Sequence, residues 1–106
     1  MDAKTLKALK GSIRKWERIV GGTGEDHGGS NCPLCQMFVY SSPAPFACGG
    51  CPVKERTGRP GCDGTPYFAF LATSGFRRKA NTPEAKAAAQ AELDFLRSLL
   101  PPAEEA

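Results

Sequence analysis

The chain has 106 residues, 41% of them hydrophobic, and a formal net charge of +3. A chain of this length predicts one small domain over 1–106, and such domains bury proportionately little surface on folding. The mild charge argues against a strongly basic nucleic-acid-binding protein, and no apolar run approaches the roughly 20 residues of a membrane span.

Apolar side chains at three- and four-residue spacing predict an amphipathic helix over 3–20. They are Leu6, Leu9, Ile13, Trp16 and Val20. Asp2 can cap its start, and Gly21-Gly22 ends the pattern. Gly11 falls on the polar side, where glycine costs about 1 kcal/mol relative to alanine. Because this N-terminal segment is charged and periodic, we do not expect it to be a signal peptide.

The middle of the chain, residues 21–64, is rich in glycine and proline and poor in apolar runs. Residues 21–31 have no hydrophobic anchor and predict a flexible loop. Two short helices are expected further on, over 34–40 and over 52–56. The prolines at 43 and 45 would end the first, and Gly58 would close the second.

Two Thr-Pro pairs, at 65–66 and 82–83, each place a capping residue before a proline at the first helical position. They predict a short helix over 66–74, for which a strand is the alternative, and a longer helix over 83–100. The long helix has an apolar face made of Ala85, Ala88, Ala89, Leu93, Leu96 and Leu100, widened by Phe95 and Leu99. Glu92 falls within this apolar sector, and the pattern does not explain it.

The most specific motif is a repeated C-x2-C turn. Cys32 and Cys35 form the first turn, Cys48 and Cys51 form the second, and Cys62 is a fifth cysteine. Two such turns predict four sulfurs around one metal ion, the ligand set of a closed, structural Zn²⁺ site. The odd cysteine count and the lack of a secretory signal favour cytoplasmic thiolates over disulfides. Iron or an iron–sulfur centre would use the same ligands.

Five cysteines compete for four ligand positions. The first assignment takes the four cysteines of the two turns. The second exchanges Cys48 for Cys62, because the glycines around Cys62 form a tight turn that presents a sulfur equally well. A third includes His27, the only histidine, whose alternative role is that of an ordinary polar residue on a glycine-rich loop.

A C-x2-C motif also serves thiol-redox catalysis when its first cysteine begins a helix beside a β-α-β core. No β-rich runs surround either motif here, and the single histidine leaves a cysteine nucleophile with one candidate base. We therefore expect a binding module rather than an enzyme. A thiol-redox or metal-dependent enzyme that uses one of the C-x2-C motifs is the alternative.

Positive charge is concentrated in the first three quarters of the chain. Residues 1–79 carry twelve lysines and arginines against six acids, whereas residues 80–106 carry two against five. The basic residues of the first helix, most of them opposite its apolar stripe, are Lys4, Lys7, Lys10, Arg14, Lys15 and Arg18. The candidate contacts to a protein or nucleic-acid partner are Lys7, Lys10, Arg14, Arg18, Arg77, Arg78 and Lys79. An ordinary solvated face is the alternative.

The cysteine segment between 31 and 67 reads N-C-P-L-C, then C-G-G-C-P-V, R-T-G and G-C-D-G-T-P-Y. It resembles small cysteine-rich zinc-binding proteins of bacteria and their phages, which carry C-x-L-C, C-x-x-C-P-[VIL] and a later C-x-x-T-P-[YW]. The resemblance covers about a third of the chain. It implies a zinc site, places Cys62 within the recurrent pattern, and implies no particular activity.

Together these patterns predict a mostly α-helical, zinc-ribbon-like domain of the cytoplasm. Its terminal helices would pack together and over residues 67–71, around a loop-rich zinc-binding centre, with 101–106 as a tail. Zinc would hold the centre, because apparent zinc binding of roughly 10–16 kcal/mol exceeds what such a loop recovers by packing. The expected function is interaction with a protein or a nucleic acid.

Overall fold

Helices account for most of the chain, as the sequence predicts. A computed structural model describes residues 3–40, 51–58, 64–75 and 78–102, and within these ranges it contains no β-strand. The Cα radius of gyration is 13.2 Å, the size expected of about 100 residues folded compactly. None of the described helices is long and apolar enough to cross a lipid bilayer.

The helices follow one another in the predicted order. They are α1 (Ala3–Val20), α2 (Pro33–Cys35), α3 (Pro52–Thr57), α4 (Tyr67–Thr73) and α5 (Pro83–Ser98). A 3₁₀ turn at Gly28–Asn31 precedes α2. The single helix predicted over 34–40 is instead α2 followed by a π-helical segment, Gln36–Tyr40.

Helix α1 has the predicted bounds but buries a wider and more polar side than its apolar stripe indicates. Thr5, Ser12 and Lys15 are buried on it together with the expected Leu9, Ile13 and Trp16. Lys15 is therefore one of the basic residues of α1 that do not lie on its solvent-facing side. Its ammonium group turns inward because a buried carboxylate lies 2.8 Å from it.

Gly11 lies against α2, so it has a packing role in addition to its expected cost to helix propensity. A methyl group placed on Gly11 would lie 2.9 Å from Cγ of Pro33. Real Cβ atoms do not approach another atom so closely, so the missing side chain is what allows α2 to rest on α1. The glycine therefore serves the packing of two helices.

One predicted helix start and one predicted stop are confirmed, and a second start is shifted. The Thr82 hydroxyl accepts a hydrogen bond from the Ala85 N–H at 3.1 Å, which is the expected N-cap of α5. Helix α4 is a helix rather than a strand, but it begins at Tyr67, with Pro66 and not Thr65 at the cap position; the Tyr67 N–H donates to the Thr65 hydroxyl at 3.2 Å. Gly58 closes α3 with a φ of 74°, a conformation that glycine adopts without strain.

The core lies between α1, α4 and α5. The terminal helices pack against each other, as predicted, and α4 packs against α5. The Trp16 ring of α1 meets the Phe70 ring of α4 edge-on, with centroids 5.0 Å apart. Phe70 is fully buried, and Leu93 and Leu96 of α5 are 3% exposed.

Several sequence predictions fall outside the described residues. They concern the proline stop at 43–45, Cys48, Cys62, Arg77 and the end of the tail.

Candidate metal centre

The turn Cys32–Cys35 has the local geometry that its C-x2-C spacing predicts. Cys32 immediately precedes α2 in an extended conformation, and Pro33 begins the helix. The Cys35 N–H donates to the Cys32 sulfur at 3.4 Å. This hydrogen bond stabilises negative charge on the Cys32 sulfur and holds Cys35 close to Cys32.

The pKa of the Cys32 thiol falls from its ordinary value to about 6. A hydrogen bond from the Cys35 thiol is the largest cause, and burial opposes it. The Cys35 amide, the nearby positive charge of Lys15 and the hydroxyl of Ser12 lower it further. The Cys32 sulfur is therefore largely a thiolate at neutral pH, and the thiolate is the form that binds metals and attacks electrophiles.

Cys51, a predicted ligand, lies directly before α3 in an extended conformation. It is 7% exposed and packs within the hydrophobic core. Within the described ranges, no three histidine, cysteine, aspartate or glutamate side chains come together as a metal-binding group. The three cysteines seen there form no disulfide. The structure thus brings Cys32 and Cys35 together and gathers no third described ligand beside them.

His27 lies on the surface of the segment that precedes α2. Its side chain is 59% exposed, and its Nε2 lies 3.6 Å from a carboxylate oxygen of Glu25. Its backbone N–H donates to the Asn31 side chain at 3.0 Å. This position matches the ordinary polar role that was the alternative to metal ligation.

A buried carboxylate that the sequence did not single out, Asp26, lies at the centre of a polar cluster. Its Oδ1 accepts hydrogen bonds from the Lys15 ammonium at 2.8 Å and from the Gly28 N–H at 2.9 Å. Its Oδ2 accepts one from the Tyr67 hydroxyl at 2.8 Å, and the Arg78 Nε lies 3.3 Å away. Residues 21–31 were predicted to be a flexible loop without a hydrophobic anchor. They are therefore held in place by this polar cluster.

Asp26 carries its charge despite being 1% exposed. Burial alone would raise its pKa, but the hydrogen bond and charge of Lys15 and the bonds from Tyr67 and Gly28 outweigh it. The net effect holds the pKa below its ordinary value, because these donors favour the ionised form. Lys15 and Asp26 are thus a buried ion pair.

Glu92 is a second buried acid, and it faces the cysteine turn. It is 3% exposed on the apolar side of α5. Burial, followed by the negative charge of Cys32, raises its pKa to about 7, against hydrogen bonds from the Thr65 hydroxyl and the Tyr67 backbone. Its Oε2 has no hydrogen-bond partner in the described structure. The only sequence signal for this group was an acid in an apolar stripe.

The candidate partner-binding residues lie in two separate places. Lys7, Arg14 and Arg18 are exposed on α1, and Lys10 is partly buried. The other two described candidates, Arg78 and Lys79, pair with acids of the chain itself. The Arg78 guanidinium contacts Asp26 and Tyr67, and the Lys79 ammonium lies 3.3 Å from Glu25.

Arg78 has a φ of 54°, an uncommon conformation for a residue with a side chain. Its carbonyl accepts the Asp26 N–H at 3.0 Å, while its guanidinium contacts the Asp26 carboxylate. These contacts from one residue fix Arg78 in place. Its role in the structure is to close the buried cluster, and α1 carries the solvent-facing basic surface.

Compared with protein-family models, with curated proteins and with solved structures, the chain has no match. The resemblance of its cysteine pattern to small zinc-binding proteins stays a prediction.

Proposed function

We propose that this protein is a small cytoplasmic interaction module with one structural Zn²⁺. The observation that carries the proposal is the Cys32–Cys35 turn. The first sulfur accepts an amide N–H at 3.4 Å, and its lowered pKa supplies a thiolate at neutral pH. A site with thiolates already present loses less free energy to deprotonation when the metal binds.

The remaining ligands come from the other three cysteines, Cys48, Cys51 and Cys62. Either assignment made from the sequence keeps Cys51 and takes one of the other two. Metal binding would therefore have to draw Cys51 to the Cys32–Cys35 turn, because the described structure does not gather it there. Four thiolates would hold Zn²⁺ in a closed tetrahedron, which suits a structural metal because no position is left for substrate. The resemblance of the segment to zinc-binding proteins supports the same set, with iron as the alternative metal.

The interaction surface that we propose is the exposed basic side of α1, formed by Lys7, Arg14 and Arg18. These side chains point away from the core that α1 forms with α5. A surface of one sign attracts an acidic partner, which is either a protein or a nucleic acid.

Native mass spectrometry with metal analysis tests the metal proposal. The wild-type chain should carry one zinc ion, and Cys32→Ser and Cys35→Ser should each abolish or strongly weaken binding. Cys48→Ser and Cys62→Ser form a matched pair, in which one variant should keep the metal and the other should lose it. A wild-type protein without metal, with its cysteines joined in disulfides, would contradict the proposal.

The buried carboxylate beside the cysteine turn favours thiol–disulfide exchange as a second candidate function. The Cys32 thiolate would attack a substrate disulfide, forming a mixed disulfide and releasing one substrate thiolate. Cys35, after losing its proton, would then attack Cys32 and release the second substrate thiol. The substrate gains two electrons, and the cysteine pair becomes a disulfide. Glu92 interacts with the charge of Cys32, and its Oε2 has no described hydrogen-bond partner, so it is the candidate acceptor of the Cys35 proton.

Reduction of insulin disulfides, with dithiothreitol as the electron source, separates the two functions. Exchange chemistry predicts activity in the metal-free protein, loss of it in Cys32→Ser, and slower turnover in Glu92→Gln. A structural zinc site predicts no activity above that of dithiothreitol alone, and this result would remove the second candidate.

A further inference from the structure

We propose that a groove beside α2, together with the adjoining basic side of α1, binds an acidic peptide segment that inserts one apolar side chain. The inference rests on the proposed role as an interaction module and names the class of its partner. The occupant is a stretch of another protein whose carboxylates face α1 while the apolar side chain enters the groove.

The groove lies on the α2 side of the molecule. It is a shallow, open depression of about 590 Å³, and the described residues that line it are Asn31, Pro33, Gln36 and Met37. The Pro33 ring and the Met37 side chain supply its apolar surface. A methionine adapts its shape to differently branched apolar side chains, as in known peptide-binding grooves.

The basic side of α1 reaches the rim of this groove at Gly11. The Cβ position of Gly11 is 2.9 Å from Cγ of Pro33 and 3.9 Å from Nη2 of Arg14. Since both atoms lie within 4 Å of one point, the Arg14 guanidinium and the Pro33 ring are neighbours. An exposed positive charge therefore stands next to an apolar wall.

The positive charge continues along α1 in both directions. Residues 7, 11, 14 and 18 follow three- and four-residue steps and so lie in one row on the helix. Lys7, Arg14 and Arg18 in this row are exposed. The single acid of α1, Glu17, pairs with Arg97 of α5 at 3.3 Å. The row thus keeps its charge and complements a series of carboxylates.

The groove chemistry favours a peptide over a nucleic acid. Single-stranded nucleic acids stack their bases on aromatic rings, and the described residues that line the groove, Asn31, Pro33, Gln36 and Met37, are not aromatic. Among the described residues the exposed large hydrophobic side chain is Phe68, on α4. Asn31 uses its amide group internally, donating to the Glu25 carbonyl at 2.9 Å and accepting the His27 N–H at 3.0 Å.

A selection from a displayed library of random peptides, with the full zinc-loaded chain as bait, tests the inference. The enriched peptides should be acidic and should share one apolar residue. Binding of a synthetic enriched peptide, followed by fluorescence anisotropy, should weaken about tenfold in Arg14→Glu and several-fold in Gln36→Glu. The matched control is Lys86→Glu, which makes the same charge change as Arg14→Glu at an exposed position of α5. It should alter the affinity for the peptide by less than about twofold.

Four outcomes would overturn the inference. One is enrichment of peptides without acidic character, and another is binding that Arg14→Glu leaves unchanged. A third is tighter binding of a single-stranded oligonucleotide than of any enriched peptide, with the same dependence on Arg14; this outcome would keep the interaction module and give it a nucleic-acid partner. Absence of binding to both probes would contradict the proposed interaction function as well.

Discussion

At the scale of single residues, Asp26 connects parts of the chain that are far apart in sequence. It accepts bonds from Lys15 of α1, from Tyr67 of α4 and from the Gly28 backbone before α2, and it contacts Arg78. A buried charge is stable only when its partners remain, because both ions have lost their water. This carboxylate should therefore control stability far more than an acid on the surface.

We predict that Asp26→Asn destabilises the protein by about 3 kcal/mol, because the Lys15 ammonium is left buried without a counter-charge. Urea unfolding followed by circular dichroism measures the effect. The matched control is Glu25→Gln, which removes a partly exposed pair with Lys79 and should cost less than about 1 kcal/mol. If the two variants lowered the free energy of unfolding equally, Asp26 would be no more important for stability than the surface acid Glu25.

The effect of Asp26→Asn should also depend on pH. The folded-state pKa of Asp26 lies below its ordinary value of 3.8, so its stabilising effect is complete above that value. The effect is lost as pH falls through the lower, folded-state pKa. The difference between the wild type and Asp26→Asn should therefore persist from neutral pH to about 5 and shrink in stronger acid.

Glu92 has the opposite linkage, since its pKa rises from 4.5 to about 7 in the folded protein. When the pKa of an acid is higher in the folded state than in the unfolded state, its contribution to stability is fully present at pH values below the unfolded-state pKa. That contribution is lost as the pH rises through the folded-state pKa. The shift corresponds to about 3 kcal/mol of lost stability at full ionisation. Glu92→Gln should therefore stabilise the metal-free protein at pH about 8, with little effect at pH about 4.

Thermal unfolding of both proteins across this pH range measures the Glu92 prediction. The matched control is Glu84→Gln, the same substitution at an exposed position in the first turn of the same helix. A Glu92→Gln variant that is less stable than the wild type at pH about 8 would show that the carboxylate makes a required ionic contact.

At the scale of elements, Gly11 shows how the contact between two helices reverses a local preference. In an isolated helix, replacing glycine by alanine gains about 1 kcal/mol. Here the added methyl group would lie 2.9 Å from a rigid proline ring, so α1 and α2 must separate to accept it. Overpacking of this kind costs about 1–3 kcal/mol.

Gly11→Ala should therefore destabilise the protein by about 1 kcal/mol in place of the stabilisation that helix propensity predicts. The double variant Gly11→Ala with Pro33→Ala supplies the control, because it removes the clashing ring. In a double-mutant cycle measured by urea unfolding, Gly11→Ala should stabilise the protein only when Pro33 has also been replaced by alanine. Stabilisation by Gly11→Ala alone would contradict the contact between α1 and α2.

The elements themselves were predictable because their signals are local. Periodic apolar residues predicted α1, and the Thr-Pro pairs predicted the starts of α4 and α5. The π-helical turn after α2 and the inward direction of Lys15 were not predictable. The direction of Lys15 depends on a contact between segments, because its partner lies 11 residues further along the chain. Spacing likewise predicted the Cys32–Cys35 turn, whereas its neighbour Glu92 enters from a helix at the other end of the sequence.

At the scale of the whole molecule, the described helices form a central group, α1, α4 and α5, and an outer pair, α2 and α3. Helices α1, α4 and α5 make the central contacts, and their packing encloses Trp16 and Phe70. The described cysteines belong to the segments of α2 and α3, from which Leu34, Cys51 and Val53 also pack into the core. Helix α2 rests on α1, and α3 is tied to α5 by two hydrogen bonds from Arg56 to Ser98 at 3.3 and 3.1 Å. A metal bound by the cysteines would link these outer helices.

We therefore predict that removing the proposed metal with a chelator loosens the outer pair, α2 and α3, before it loosens the central group. Amide hydrogen exchange should quicken strongly in residues 33–40 and 52–57 after treatment with a chelator, while amides in the middle of α1 and α5 stay protected. Cys35→Ser should give the same exchange pattern without a chelator, which separates loss of the metal from effects of the reagent. Loss of protection throughout α1 and α5 would mean that the metal holds the entire fold. Unchanged exchange in all segments would mean that no metal stabilises it, because a ligand that binds only the folded state must slow its opening.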